Sequence, residues 1–297
     1  KEFIFMSSMI VYGEAAPYGV KKVIDEHTVP SPANFYGDSK LQADVAVREF
    51  ADDSFKVIVL RPPMIYGKGS KGNYPILAKL AKILPIFPNV DNERSMLHID
   101  NLCAFLCQIM LVKEIKKNAI VLIPQNKEWT KTCEMIEEIA KVSGRTIRNT
   151  KALRQAVFVA GKIPGKIGGL INKAFGNYTY AHRISVYPGI NYQILSLRES
   201  VKKTEASDGT DKEDHTLGEN KKHILVVSQY FYPETFRIND MCQEWVKRGY
   251  KVTVVTGIPN YPMGKTFEGY GLTKKRHEIW NGIEIYRIPL IPRGTGS

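Results

Sequence analysis

Short apolar runs alternate with amphipathic segments along the first part of the chain. Buried parallel strands are predicted by three of these runs, EFIFMSS, FKVIVLRPP and NAIVLIP, because successive residues on both faces are apolar. The helical spacing of apolar residues occurs in KLQADVAVREFA, NYPILAKLAKIL, HIDNLCAFLCQIMLV and TCEMIEEIAKVSG. This alternation of strands and helices predicts an open parallel α/β sheet.

The pattern breaks in residues 205–221, where Leu217 is the single large apolar residue. Such a composition predicts a solvated linker. Beyond it, a second and smaller α/β unit is predicted by a strand (KKHILVVS), a helix (RINDMCQEWVKRGY) and two further strands (KVTVVTG and GIEIYRI). We therefore expect an α/β domain over residues 1–204, a linker over 205–221 and a three-stranded unit over 222–297.

Charge and composition narrow the classes of function. The chain of 297 residues has a formal net charge of +12, which indicates an anionic partner. Its basic residues are spread out and accompany no nucleic-acid-binding motif, so phosphorylated metabolites or an acidic membrane surface are favoured over nucleic acid. No run of about 18 apolar residues occurs, so no membrane span is predicted.

The four cysteines lack the spacing of a zinc site or of a disulfide framework. Cys103 and Cys107 lie one helical turn apart in an apolar segment, which favours small buried thiols. Cys133 and Cys242 have no histidine at metal-site spacing. We therefore predict no metal site and a cytoplasmic protein.

A tyrosine and a lysine four residues apart in ANFYGDSK are candidates for acid–base chemistry. Tyr36 and Lys40 stand at the start of an unbroken helical pattern, so their side chains are expected on one face of a helix. The same spacing occurs in three other pairs, Tyr18/Lys22, Tyr261/Lys265 and Tyr270/Lys274. Prolines and glycines surround those three pairs and predict loops there.

The chemistry that such a pair performs is specific. A tyrosine with a pKa near 10 is a poor base at neutral pH, but a nearby ammonium favours its phenolate. The phenolate could take a proton from a hydroxyl group while a hydride leaves the same carbon. Ser7 and Ser8 follow the first strand, and ligands bind at the carboxyl ends of strands in open α/β sheets. A serine there would hydrogen-bond the reacting hydroxyl.

Four motifs in this order, FIFMSSMIVYG, SPANFYGDSK, VLRPPMIYGKGSKGNY and ERSMLHIDNL, resemble the extended short-chain dehydrogenases/reductases. The closest resemblance is to the NAD-dependent nucleotide-sugar epimerases, and it covers residues 2–204. It implies a Rossmann-like, doubly wound parallel sheet with a small substrate subdomain, and NAD as the cofactor.

The resemblance also implies the roles of single residues. Tyr36 would be the catalytic base, Lys40 would lower the pKa of Tyr36 and bind the nicotinamide ribose, and Ser8 would be the catalytic serine, with Ser7 structural. The remaining implied contacts are Pro62 and Pro63 at the nicotinamide, Asn73 at the nucleotide sugar and Arg94 at its diphosphate. A guanidinium presents a fork that matches phosphate oxygens.

Two departures from the family pattern bear on activity. Dehydratase relatives have acidic residues directly after the catalytic serine or threonine, whereas this chain has Met9 and Ile10, which cannot transfer protons. The glycine-rich turn of the dinucleotide site is expected on the first strand–helix connection, and Lys1 leads directly into a later strand. We therefore expect an incomplete Rossmann-like sheet that binds NAD poorly or not at all by itself.

Residues 151–177 mix lysines with apolar residues and glycines. A basic interfacial helix is one interpretation. Pro164 and four glycines interrupt any long helix, and the epimerase family has a short helical substrate subdomain here. We favour the subdomain.

The second unit, residues 222–297, resembles the start of family-4-type glycosyltransferases of the GT-B fold. The motifs are QYFYPE and RGYKVTVVTGIPNYP. The resemblance implies an acceptor-binding domain without its donor-binding domain. Tyr230, Phe231 and Tyr232 would line the acceptor cleft or belong to the core, and Arg237 and Asn260 are weaker candidates.

The leading interpretation is an NAD-dependent nucleotide-sugar 4-epimerase of the UDP-glucose/UDP-galactose type, fused to part of a glycosyltransferase of surface polysaccharide biosynthesis. Two alternatives stay open: an NAD(P)H-dependent 4-ketoreductase that uses the same residues, and a catalytically inactive binding or scaffold fragment. The expected partner is a UDP-sugar. A homodimer and peripheral association with the inner face of the cell membrane also stay open.

Overall fold

The computed structural model describes residues 1–70, 72–111, 117–206 and 222–290. The chain divides into two compact units, Lys1–Asp208 and Gly209–Ser297. Most of the expected polar linker, residues 207–221, lies outside the described residues. Each unit is therefore described by itself.

The first unit contains nine strands and seven α-helices within the described ranges. The strands are β1 (Glu2–Met6), β2 (Val23–Ile24), β3 (Lys56–Leu60), β4 (Met64–Tyr66), β5 (Ile86–Pro88), β6 (Met96–His98), β7 (Ala119–Leu122), β8 (Arg148–Thr150) and β9 (Thr179–Tyr180). The helices are α1 (Phe35–Glu49), α2 (Tyr74–Ile83), α3 (Ile99–Leu111), α4 (Thr132–Val142), α5 (Arg154–Gly161), α6 (Lys166–Phe175) and α7 (Leu197–Glu205).

A parallel sheet with the order β1-β3-β7 forms the centre of the first unit. The central strand β3 is buried from Val57 to Leu60, because its apolar side chains are covered on both faces of the sheet. The predicted parallel α/β class and its three strands are thus confirmed. Three two-stranded pairs, β2–β9, β4–β6 and β5–β8, were not predicted, because strands of two or three residues have no readable alternation.

The predicted helices of the first unit also form. Helices α2, α4 and α7 pack around a cluster of buried side chains that includes Phe87, Met135 and Val201. All four cysteines are free and buried, as predicted for Cys103 and Cys107 on α3. Within the described ranges, no helix has the length and apolar composition needed to cross a bilayer.

Residues 151–177 form a helical hairpin, α5–α6, and not one long helix. The chain turns at Gly165, whose φ of 89° favours glycine. A Cβ atom on Gly168 would lie 2.0 Å from the carbonyl oxygen of Ile163, so the two arms approach too closely there for any side chain. The predicted interruption by proline and glycine is confirmed.

The second unit contains β10 (His223–Ser228), α8 (Arg237–Lys247), β11 (Lys251–Gly257), β12 (His277–Trp280) and β13 (Ile283–Ile288). Its sheet has the order β10-β11-β13-β12, with β12 antiparallel to β13. The prediction of three strands was wrong, because β12 was missed. The sequence does contain a signal for a hairpin at this point, the dipeptide Asn281-Gly282. These two residues form the hairpin turn, with φ values of 49° and 77°.

Candidate active site

Ser8 lies directly beyond the carboxyl end of β1. The chain there turns into a short 3₁₀ helix, Met9–Tyr12, and Ser8 is its N-terminal cap. The Oγ atom of Ser8 accepts a hydrogen bond of 3.3 Å from the amide of Ile10. Because this bond uses only a lone pair, the hydroxyl hydrogen of Ser8 remains available to donate to a ligand.

Tyr36 and Lys40 lie in the first two turns of α1. The helix begins at Phe35 because the side chain of Asn34 accepts a 2.9 Å hydrogen bond from the amide of Gly37. Tyr36 is 57% exposed, so its ring is available to a ligand. Tyr18 and Tyr261, in two of the three competing pairs, lie in turns, and Tyr270 lies outside helices and strands, as predicted.

The ammonium of Lys40 contacts the end of β1. Its Nζ atom donates a 3.1 Å hydrogen bond to the carbonyl oxygen of Met6 and lies 5.6 Å from the centre of the Phe5 ring. Burial lowers the pKa of Lys40. Within the described ranges, no hydrogen bond joins the Tyr36 hydroxyl to Lys40 or Ser8. The position of the lysine is therefore set by the strand end and not by the tyrosine.

The start of α1 packs against the turn that follows Ser8. A Cβ atom on Gly37 would lie 2.9 Å from the carbonyl oxygen of Ile10, so a side chain at this position would push the helix away. The amide of Met9 donates a 2.9 Å hydrogen bond to the carbonyl oxygen of Pro62, which follows β3. The main chain at Ser8, Tyr36 and Pro62 thus lies at the carboxyl ends of β1 and β3. The ammonium of Lys40 lies at the same edge of the sheet.

A buried ion pair beneath this edge was not predicted. Asp44 on α1 is fully buried, and Arg61, directly after β3, donates hydrogen bonds of 2.8 and 3.1 Å to its carboxylate. Arg61 also donates a 2.7 Å hydrogen bond to the hydroxyl of Tyr12. Burial by itself lowers the pKa of Arg61, but the hydrogen bond to Asp44 raises it above the ordinary value. The sequence signal for this ion pair was the position of Asp44, four residues after Lys40 and therefore on the same helix face.

Arg94 lies beside the carboxyl end of α6. Its Nη1 atom donates hydrogen bonds of 2.6 Å to the carbonyl oxygen of Lys173 and 3.5 Å to that of Gly176. Burial lowers the pKa of Arg94, and no carboxylate lies within ion-pair distance in the described part of the chain. The neighbouring Tyr178 donates a 2.6 Å hydrogen bond to the carbonyl oxygen of Met9, which connects this region to the Ser8 turn.

Asn73 is the N-terminal cap residue of α2, but its side chain makes no capping hydrogen bond. It shares no hydrogen bond with Ser8, Lys40 or Arg94 in the residues that the structure describes. Pro62 and Pro63 are buried. No group of three or more potential metal ligands occurs within the described ranges.

In the second unit, the aromatic candidates separate into two environments. Phe231 is fully buried and packs edge to face against Trp280, so it belongs to the core and does not line a cleft. Tyr230 stacks on Phe236 with ring centres 5.2 Å apart, and Tyr232 stacks on Trp280 at 4.4 Å. The two weaker candidates already have partners within the unit. Arg237 forms an ion pair with Asp240, and the main-chain N–H of Asn260 donates a hydrogen bond to the carboxylate of buried Glu234.

Ser8, the start of α1 and Lys40 lie at the carboxyl ends of parallel strands, which is where open α/β sheets bind their ligands. The profile of the NAD dependent epimerase/dehydratase family matches residues 1–123. This part of the chain is therefore similar to the family that the motifs predicted.

Curated relatives are similar to part of the chain. The chain is 32% identical over 145 residues to a UDP-glucose 4-epimerase of Vibrio cholerae, covering 47% of this chain and 43% of the relative. It is 33% identical over 112 residues to an N-acetyl-alpha-D-glucosaminyl-diphospho-ditrans,octacis-undecaprenol 4-epimerase of Escherichia coli O157:H7, covering 36% and 32%. The chain thus spans less than half the length of these two relatives.

The fold has a counterpart among solved structures. A crystal structure of a UDP-glucose 4-epimerase superposes with a TM-score of 0.50 at 15% identity, covering 69% of this chain and 63% of the other. At this identity the similarity establishes the fold alone, and that fold is Rossmann-like.

Proposed function

We propose that the first unit is the catalytic and sugar-binding part of an NAD-dependent nucleotide-sugar 4-epimerase that interconverts UDP-glucose and UDP-galactose. One observation supports this most strongly: Ser8, the start of the Tyr36–Lys40 helix and Pro62 meet at the carboxyl ends of β1 and β3, inside the region that matches the epimerase family. The Vibrio cholerae relative, named for UDP-glucose, supports a UDP-sugar as the substrate.

In this proposal the first unit contributes the acid–base groups. Tyr36, as its phenolate, takes the proton from the sugar 4-hydroxyl and later returns a proton to the 4-keto oxygen. Lys40 supplies a positive charge at the carboxyl end of β1, one helical turn from Tyr36. Ser8 donates a hydrogen bond to the reacting oxygen. A bound NAD would supply the hydride acceptor and donor for carbon 4 of the sugar, so the chain's own residues are needed only for proton transfer and hydrogen bonding.

The residues present fit such a ligand pair. The hydroxyl of Ser7 is buried at the carboxyl end of β1 and has no hydrogen-bond partner within the described ranges. A polar group of the cofactor or the sugar would satisfy this hydroxyl, which has no other donor or acceptor in reach. Within the described residues, Arg94 has no carboxylate partner, so its guanidinium can bind the diphosphate, and the side chain of Asn73 does not cap α2, so its amide can bind the nucleotide sugar. Met9 and Ile10 provide no acid or base for an elimination, so dehydration is not proposed.

The test of this function uses a chimera in which the glycine-rich dinucleotide-binding segment of a UDP-glucose 4-epimerase precedes Lys1. With catalytic NAD and UDP-galactose, we expect UDP-glucose as the product without net reduction of the cofactor. Reduction of one equivalent of added NAD(P) per UDP-galactose, with a 4-keto sugar as the product, would identify a 4-ketoreductase acting in reverse. Absence of turnover, with both a UDP-sugar and NAD bound, would identify a binding fragment.

Lys40→Met separates catalysis from stability. The folded-state pKa of Lys40 lies below its unfolded value, so the charged amine destabilises the fold at neutral pH. This penalty begins to fall as pH rises through the lowered pKa and disappears above the unfolded pKa. We therefore expect the unfolding free energy to change by no more than about 1 kcal/mol at pH 7. The turnover of the chimera is expected to fall about 100-fold, because Tyr36 loses its cationic partner.

The control for this variant is Lys79→Met, at an exposed lysine of α2, which is expected to retain full turnover. Urea unfolding and product formation are measured on all three proteins. Full turnover by Lys40→Met would contradict the role of the ammonium.

Arg94→Ala is expected to weaken UDP-sugar binding. A hydrogen bond between a guanidinium and an anion contributes about 1.5–3 kcal/mol, so KM is expected to rise about 10- to 100-fold with little change in kcat. The matched control is Arg183→Ala, because Arg183 forms its ion pairs with Asp25 and Glu26 on the surface. If Arg94→Ala lowers the melting temperature and leaves KM unchanged, Arg94 only caps α6.

For the second unit we propose the acceptor-binding domain of a glycosyltransferase in surface polysaccharide synthesis. The proposal is supported by its order of elements, which places the aromatic residues Tyr230 and Tyr232 after the first parallel strand of the unit. The Escherichia coli relative, which is named for a sugar on undecaprenol diphosphate, is compatible with that role for the whole protein.

A further inference from the structure

The α5–α6 hairpin exposes large apolar side chains. Val159 on α5 is 62% exposed, Leu170 on α6 is 67% exposed, and Ile163 between the helices is 44% exposed. Three such side chains within twelve residues of a short helical hairpin are more than the scattered apolar residues of an ordinary surface.

The same region is free of acidic residues. No Asp or Glu occurs from residue 139 to residue 198. Basic residues recur throughout this range, at Lys141, Arg145, Arg148, Lys151, Arg154, Lys162, Lys166, Lys173, Arg183 and Arg198. Lys141, Arg154 and Arg183 form ion pairs with carboxylates outside this range, so the relevant positive charges are those of the lysines on the hairpin itself. Basic side chains next to exposed apolar ones complement a surface that is anionic outside and apolar beneath.

Lysines accompany the apolar side chains on the hairpin itself. The Nζ atom of Lys162 lies 4.2 Å from the centre of the Phe158 ring, one turn earlier on α5. Lys173 follows Leu170 by three residues on α6, so the two side chains share a helix face. Neither Lys162 nor Lys173 forms an ion pair within the described ranges. Their ammonium groups are thus available to lipid phosphates while their aliphatic stems lie along apolar surface.

We propose that the α5–α6 hairpin docks on the surface of an anionic lipid bilayer. Val159, Ile163 and Leu170 enter the boundary between headgroups and acyl chains, and Lys162 and Lys173 bind lipid phosphates. The turn at Gly165 and the length of each helix make this a surface contact and not a span. A bilayer is favoured over nucleic acid because Val159, Ile163 and Leu170 are aliphatic and do not stack on bases.

This docking goes beyond the proposed epimerase function and does not depend on it. It would nevertheless place the candidate site near lipid, because the carboxyl end of α6 is the segment whose carbonyl groups accept hydrogen bonds from Arg94. A ligand bound at Arg94 would then lie next to the membrane-facing hairpin.

The test is co-sedimentation of the intact chain with vesicles. We expect binding to vesicles of equal parts phosphatidylglycerol and phosphatidylcholine, weakening as salt is raised, and no binding to phosphatidylcholine alone. The charge reversal Lys162→Glu/Lys173→Glu is expected to lower the affinity at least about 30-fold, since each surface lysine contributes about a fivefold factor before repulsion is added. The polar variant Val159→Ser/Leu170→Ser is expected to lower it about tenfold.

Matched controls separate docking from attraction by the net charge of +12. Lys79→Glu/Lys202→Glu makes the same change of charge on α2 and α7, and Val29→Ser/Ile76→Ser removes apolar side chains that are 77% and 60% exposed. Both are expected to bind vesicles within about threefold of the unmodified chain. Equal losses in hairpin and control variants, or no binding to anionic vesicles, would overturn the proposal. Circular dichroism verifies that each variant is folded.

Discussion

Tyr36→Phe is expected to lower the epimerisation rate of the chimera by about 10²- to 10⁴-fold, which is the usual contribution of a positioned general base. The substitution removes only the hydroxyl, and the ring is already 57% exposed, so neither the fold nor UDP-sugar binding is expected to change. The measurements are kcat and KM for UDP-galactose. The loss is expected in kcat with KM nearly constant.

The matched control is Tyr261→Phe. Tyr261 has the same four-residue spacing to a lysine, but it lies in a turn of the other unit. This variant is expected to keep full epimerase activity. A Tyr36→Phe chimera that epimerises UDP-galactose at the unmodified rate would remove Tyr36 from the mechanism.

Asp44→Asn is expected to lower the unfolding free energy of the first unit by about 3–5 kcal/mol, the largest stability effect that we predict. Asp44 is fully buried and accepts two hydrogen bonds from Arg61, with Arg48 3.2 Å away. The amide removes the negative charge and replaces one of the two acceptor oxygens with an NH2 group, so the buried guanidinium of Arg61 loses its counter-charge and one hydrogen bond and keeps its bond to the Tyr12 hydroxyl.

Urea unfolding of the intact chain measures this effect, with Asp38→Asn as the control. Asp38 is on the same helix but is exposed and accepts a hydrogen bond from Gln42, so its substitution is expected to change stability by less than about 0.5 kcal/mol. If Asp44→Asn costs no more than the control, the ion pair does not hold α1 against β3.

The central sheet and its helices could be predicted because their patterns are local. The run KVIVL is apolar on both faces and long enough to be recognised as a buried strand, and it forms β3. The break in α5–α6 could be predicted from Pro164 and the glycines. The antiparallel strand β12 was missed because HEIW is short, although the Asn281-Gly282 turn after it was readable.

Some residues of the candidate site could be predicted from the sequence, whereas their contacts could not. Ser8, Tyr36 and Lys40 could be proposed because a strand end and a helical spacing are visible in the sequence. The hydrogen-bond acceptor of Lys40 could not be predicted. The Met6 carbonyl is 34 residues away in the sequence and becomes a neighbour only when α1 packs on β1. The contacts of Arg94 with the end of α6 depend in the same way on how the chain folds back from residue 173.

The hydrogen at sugar carbon 4 provides the most direct test of the redox mechanism at Ser8, Tyr36 and Lys40. The chimera is incubated with UDP-galactose and NAD in deuterated water, and UDP-glucose is analysed by NMR. We predict UDP-glucose without deuterium at carbon 4 and without net reduction of NAD. Deuterium at that carbon, or stoichiometric reduction of NAD, would contradict it.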